Sequence, residues 1–112
     1  MPMFLLNSTE KKALNQFSTR IKNNLGLNLL DLRIFGSKST GKFRDESDID
    51  VLIVVNNRND EVLDVISEIL LDVELKYDSK ISPVVLTTTE LLKNQQHQTL
   101  FYHEVIRDGI TL

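Results

Sequence analysis

Asp48 and Asp50 are the residues of this chain best placed to do chemistry. They stand one residue apart at the head of a short apolar run, I-D-V-L-I-V-V, from Ile49 to Val55. A run this short and β-branched, closed by Asn56-Asn57-Arg58-Asn59-Asp60, reads as a strand. Residues two apart on a strand share a face, so both carboxylates point one way while Ile49, Val51, Ile53 and Val55 point the other. Two hard oxygen donors at that spacing suit a divalent magnesium ion, which bridges phosphate oxygens and neutralises charge that develops during transfer.

The residues just before the aspartates suggest where the phosphates would go. The stretch I-F-G-S-K-S-T-G-K-F runs from Ile34 to Phe43. A tight Gly36-Ser37 turn at a strand end leaves backbone amides and the Ser37 hydroxyl free to contact a triphosphate, and Gly41 lets the chain pass close beneath it. Lys42, with Lys38 and Arg44, forms a cationic cluster large enough to hold one phosphate group. Ser47 turns or caps the chain ahead of the strand and lies within reach of the same nucleotide. The same letters nearly spell the phosphate loop of ATPases, G-x-x-x-x-G-K-[ST]. Phe43 occupies the position of the magnesium-binding hydroxyl, and the chain continues into acids and then a strand rather than a helix, so that reading fails.

Several elements must position these groups. Asn7-Ser8-Thr9-Glu10 is a helix-start signal, and Leu14, Phe17, Ile21 and Leu25 recur at helical spacing until Gly26 can end the helix. Leu29 to Phe35 alternates as a strand, with Leu30, Leu32 and Ile34 opposite Asp31, Arg33 and Phe35. Val62, Ile66, Ile69, Leu70 and Val73 mark a second helix. Ile81 to Leu86 is a third strand whose Pro83 lacks an N–H, which places it at a sheet edge. Thr87-Thr88-Thr89-Glu90 is another capping signal, with a last helix through Phe101, Val105 and Ile106 before Asp108-Gly109. The expected fold is α/β (α+β), a small mixed sheet of three to four strands flanked by helices, in one domain spanning residues 1–112. Leu52 and Val54 continue the aspartate face, so that face must be covered by the C-terminal segment or by another protein.

Composition narrows the function. The chain has 112 residues, 41% hydrophobic and 26% charged, with a net charge of −3. That balance argues against a broad electrostatic footprint for nucleic acid, though not against a nucleotide. The absence of cysteine removes thiolate nucleophiles and cysteine zinc sites. The start, M-P-M-F-L-L-N-S-T-E-K-K, lacks a signal-peptide core, and no apolar run approaches the ~20 residues of a membrane helix. A cytoplasmic protein without membrane attachment is the expectation. His97 and His103 stand six apart, off the three-or-four spacing that pairs ligands on a helix, and read as surface or packing residues.

With Gly36, Ser37, Gly41, Ser47, Asp48, Ile49 and Asp50 in register, the chain resembles the DNA polymerase β-type nucleotidyltransferases. Its size and its ending, F-Y-H-E-V-I-R-D-G-I-T-L, resemble the minimal nucleotidyltransferases (MNT) found in HEPN/MNT toxin–antitoxin pairs. The resemblance implies a polymerase β-like fold, ATP as the triphosphate, and Mg²⁺ or Mn²⁺ held by Asp48 and Asp50. It assigns phosphate contacts to the Gly36-Ser37 turn, and it implies a HEPN-type protein partner, with self-association into a homo-oligomer left open. It also implies a third acid on the next core strand that helps activate the attacking hydroxyl. Here the aligned position is Ser82, which cannot accept a proton as a carboxylate does.

Two functions are then open to the chain. In the first, it moves AMP from ATP to a hydroxyl acceptor, which by resemblance can sit on the HEPN-type partner, and releases pyrophosphate. In the second, a non-catalytic antitoxin or regulatory subunit keeps the fold and covers the toxin. Ser82 and the apolar Leu52 and Val54 favour the second.

Overall fold

The computed structural model describes residues 6–36 and 48–112. Helix α1 (Ser8–Leu25) runs through a 3-10 turn (Gly26–Asn28) into β1 (Leu29–Phe35). Strand β2 (Ile49–Val55), helix α2 (Asp60–Tyr77), strand β3 (Ile81–Thr87), helices α3 (Thr88–Gln96) and α4 (Leu100–Asp108), and a short β4 (Ile110–Thr111) complete the order. The strands form one mixed sheet in the order β3-β2-β1-β4. β2 lies antiparallel to β1 and parallel to β3, and β4 lies antiparallel to β1. The parallel pair requires a crossover, which α2 supplies. Pro83 sits in β3 at the sheet edge, where its missing donor costs no ladder bond.

Local chemistry sets both helices of the first layer. The Asn7 side chain accepts from the Glu10 amide at 2.8 Å while the Glu10 carboxylate accepts from the Asn7 amide at 3.0 Å, a reciprocal cap for α1. The Asn59 side chain caps α2 by accepting from the Val62 amide at 2.9 Å. Leu14, Phe17 and Ile21 of α1, with Ile66, Ile69 and Val73 of α2, bury against Leu32, Ile34, Ile49, Val51, Ile53 and Val55 of the sheet. This is the main core. Truncating a fully buried aromatic such as Phe17 to alanine costs about 3–5 kcal/mol.

The opposite face carries a second apolar cluster. Phe35, Leu52, Val54 and Val105 are buried together, with Val84, Leu86, Leu91 and Phe101 packed against them. The chain's own α3 and α4 therefore cover the aspartate face. Leu52 is fully buried and Val54 is 3% exposed, so neither offers a surface to a partner. The expectation that these two residues favour a partner-covering role is corrected by that burial.

Three further differences from the sequence expectations have physical causes. The C-terminal segment is two helices rather than one, because Gln98 adopts a left-handed φ of 49° and Thr99 caps a new helix by accepting from the Tyr102 amide. The strand β4 has two residues, too short for any periodicity to reveal; the Leu112 amide extends the edge by donating to the Leu32 carbonyl at 2.9 Å. Leu30 is 52% exposed, because the β1–β2 register shifts between Leu29 and Asp31 and leaves it without a partner position.

Candidate active site

Asp50 is the second residue of β2, with Asp48 just ahead of the strand. Strand register places Asp50 between Phe35 of β1 and Ser82 of β3. Residues directly opposite on paired strands share a face, so Phe35, Asp50 and Ser82 line up on the side covered by α3 and α4. Leu52 and Val54 continue that line inward, so the acid sits at the outer end of the second cluster. Asp48 is exposed and Asp50 is half-buried.

Gly36 comes directly after β1 and has a φ of 78°, a conformation that an L side chain rarely adopts. A Cβ on Gly36 would collide with the Asp50 Oδ2. The backbone leaving β1 thus lies against the Asp50 carboxylate with only a hydrogen between them. The turn and the acid pair, distant in sequence, meet at one end of the β1–β2 ladder. Of the expected site residues, the structure brings Gly36, Asp48 and Asp50 together. Ser37, Gly41, Lys42 and Ser47 lie outside the described residues.

The electrostatics are those of a negative site lacking a compensating cation among the described residues. Burial raises the Asp50 carboxyl above its ordinary value, and the charges of Asp48 and then Glu104 raise it further. A divalent ion shared by Asp48 and Asp50 would relieve both effects, and all-oxygen donors match magnesium or manganese chemistry. Among the described residues no group of three acids or histidines closes around a metal position.

Ser82 stands opposite Asp50 in the parallel ladder, where its hydroxyl supplies no charge. Neither acid near it in sequence compensates. Glu74 lies in α2, and Asp78 is the left-handed residue that ends it, with a φ of 51°. Glu104 was not singled out from the sequence. Phe101 and Val105 face the sheet, and Glu104 stands on the exposed flank of the same helix, about 60° round from Phe101. His97 and His103 are both exposed.

Comparison with known proteins identifies the family. Residues 15–112 match the family model described as "Polymerase beta, Nucleotidyltransferase". The chain is 32% identical over 103 residues to the "Putative protein adenylyltransferase MJ0604" of Methanocaldococcus jannaschii, covering 92% of this chain and 97% of that protein. A second protein of that organism, "Putative protein adenylyltransferase MJ1305", is 28% identical over 81 residues, and the match covers 70% of this chain and 55% of that protein. Among solved structures, a "putative nucleotidyltransferase from Sulfolobus solfataricus" aligns with a TM-score of 0.52 at 19% identity, covering 95% of this chain and 86% of that one. The toxin–antitoxin structure MntA-HpeT (mutant D39ED41E) aligns with a TM-score of 0.53 at 18% identity, covering 95% of this chain and 72% of that one. At those identities the structures speak for the fold alone. The sequence matches go further, and the chain belongs to the polymerase beta-type nucleotidyltransferase family.

Proposed function

We propose that this chain transfers an adenylyl group from ATP to a hydroxyl on a protein acceptor and releases pyrophosphate. The observation that carries this reading is the meeting of Gly36 with Asp50, beside Asp48, at one end of the β1–β2 ladder. It occurs in a chain 32% identical to a protein named as a protein adenylyltransferase. Asp48 and Asp50 would hold Mg²⁺ or Mn²⁺, which when bound supplies the positive charge that balances the phosphates. The Gly36-Ser37 turn would orient the triphosphate through its backbone amides, with Gly41, Lys42 and Ser47 along the same path. Phe35 and the α4 helix exclude water from the inner side of the acids. The acceptor would be a HEPN-type toxin, a reading supported by the fold likeness to MntA of the MntA-HpeT pair.

The test uses labelled ATP, magnesium and a HEPN-type partner protein. Label should move to the partner, and Asp48→Asn should abolish the transfer. Absence of transfer by the intact chain sinks the proposal.

The second reading, a non-catalytic antitoxin, is favoured by one observation, the serine opposite Asp50. It predicts that an Asp48→Asn, Asp50→Asn double variant still neutralises the toxin; loss of protection removes it.

A further inference from the structure

We propose that Glu104 of α4 supplies the carboxylate that Ser82 does not, accepting the proton of the attacking hydroxyl. The inference rests on the transfer reading above and names a further residue for it.

The placement of α4 carries the proposal. The Phe101 ring meets the Phe35 ring edge-on, with centroids 5.5 Å apart and planes at 85°. Phe35 is the residue directly opposite Asp50 on the neighbouring strand. Val105, 2% exposed, is buried in the same cluster as Leu52, two residues along β2 from Asp50. Phe101 and Val105 therefore pin α4 over residues on two sides of Asp50, and Glu104, one residue before Val105, stands about 60° round the helix from Phe101, on the flank of the seated face. Its side of the helix is open to solvent, where an acceptor could approach.

Three other acids among the described residues have partners of their own. Asp31 pairs with Arg33 at 2.6 Å, Glu90 accepts from Arg58 at 2.8 Å and from the Thr87 amide at 2.9 Å, and Asp108 pairs with Arg107 at 2.9 Å. The charge of Glu104 acts on Asp50 of β2 and on Arg107 of its own helix. No three-acid metal cluster forms among the described residues, so Glu104 is assigned to the acceptor and not to a metal.

In the step itself the acceptor hydroxyl oxygen bonds to the α-phosphorus and the bond from that phosphorus to the bridging oxygen breaks. Pyrophosphate leaves with the electron pair, and the hydroxyl proton passes to the Glu104 carboxylate. A positioned carboxylate in this role contributes about 10²–10⁴-fold to rate.

The experiment compares the intact chain with Glu104→Gln, with Glu104→Gln combined with Ser82→Asp, and with Glu68→Gln on the far layer as control. Single-turnover adenylyl transfer and Mn²⁺ binding to the protein alone are both measured. Glu104→Gln should lower kcat about 10²-fold or more with the KM for ATP changed less than about twofold, and Ser82→Asp should restore at least about tenfold of that loss. Mn²⁺ affinity should fall about threefold on loss of a charge near the acid pair, while the control is unchanged. Wild-type transfer by Glu104→Gln, or a loss that Ser82→Asp does not relieve, overturns the proposal. If the intact chain transfers nothing, the function reading fails by itself, and the Mn²⁺ measurement still decides whether Glu104 shares the site: affinity equal to the control's overturns it.

Discussion

Substituting Gly36 by alanine tests whether the turn and the acid pair are one structural unit. The new side chain would carry two separable penalties. A φ of 78° costs an L residue about 1–2 kcal/mol in the left-handed region. The added methyl also meets the Asp50 carboxylate, which must leave its rotamer at about 0.5–1.5 kcal/mol, giving about 1.5–3.5 kcal/mol together. The second penalty should vanish when the carboxylate is absent. In an Asp50→Ala background the remaining Asp50 Cβ stands 3.5 Å from the new methyl, an ordinary contact. Urea denaturation of the four proteins of this cycle should therefore give a coupling of about 1 kcal/mol between the two positions. Gly36→Ala should also weaken Mn²⁺ binding, because the displaced carboxylate is a proposed ligand. Additive costs, with coupling below about 0.3 kcal/mol, would refute the close approach on which the site is built.

Three other outcomes are expected. Because the Asp50 carboxyl is raised in the folded state, by burial first and then by Asp48 and Glu104, its ionisation works against folding. Asp50→Asn should then raise the thermal midpoint at neutral pH, and the gain should fade as pH falls below the ordinary aspartate value; a gain that persists in acid would contradict this sign. Thr87→Ala removes the cap of α3, whose hydroxyl accepts from the Glu90 amide, and should cost about 1 kcal/mol in a chemical denaturation measurement. Leu52→Ala should cost about 2–5 kcal/mol of global stability, as befits a residue buried under the chain's own helices. Weaker partner binding with unchanged stability would show that burial to be wrong.

Most of the fold was legible because its signals are local. The caps at Asn7 and Thr87, the apolar stripes of α1 and α2, and the two-residue period of β2 each report on their own element. The edge position of β3 could be read from one proline. The features that stayed hidden depend on tertiary contact. The break at Gln98 lies in a polar stretch with no glycine, and β4 exists only because α4 delivers it to β1. In the site, Asp48, Asp50 and Gly36 announced themselves through motif spacing, whereas the charge of Glu104 acts on Asp50 from a helix whose seat is set by Phe35 and Leu52. No spacing within the chain encodes that seat.

The junction between β3 and α3 has no loop. Thr87 is at once the last residue of the strand and the cap of the helix, and Arg58 clasps both sides of the joint, donating to the Val85 carbonyl at 2.7 Å and to the Glu90 carboxylate at 2.8 Å. Strand and helix are consequently geared together, with no slack to absorb a change of phase. One residue inserted before Thr87 would turn α3 by about 100° about its axis. Leu91 would swing off the cluster of Phe35, Leu52 and Val54, and Glu90 would leave the Arg58 clasp. The seating of everything after it, α4 and Glu104 included, is indexed to the strand that carries Ser82.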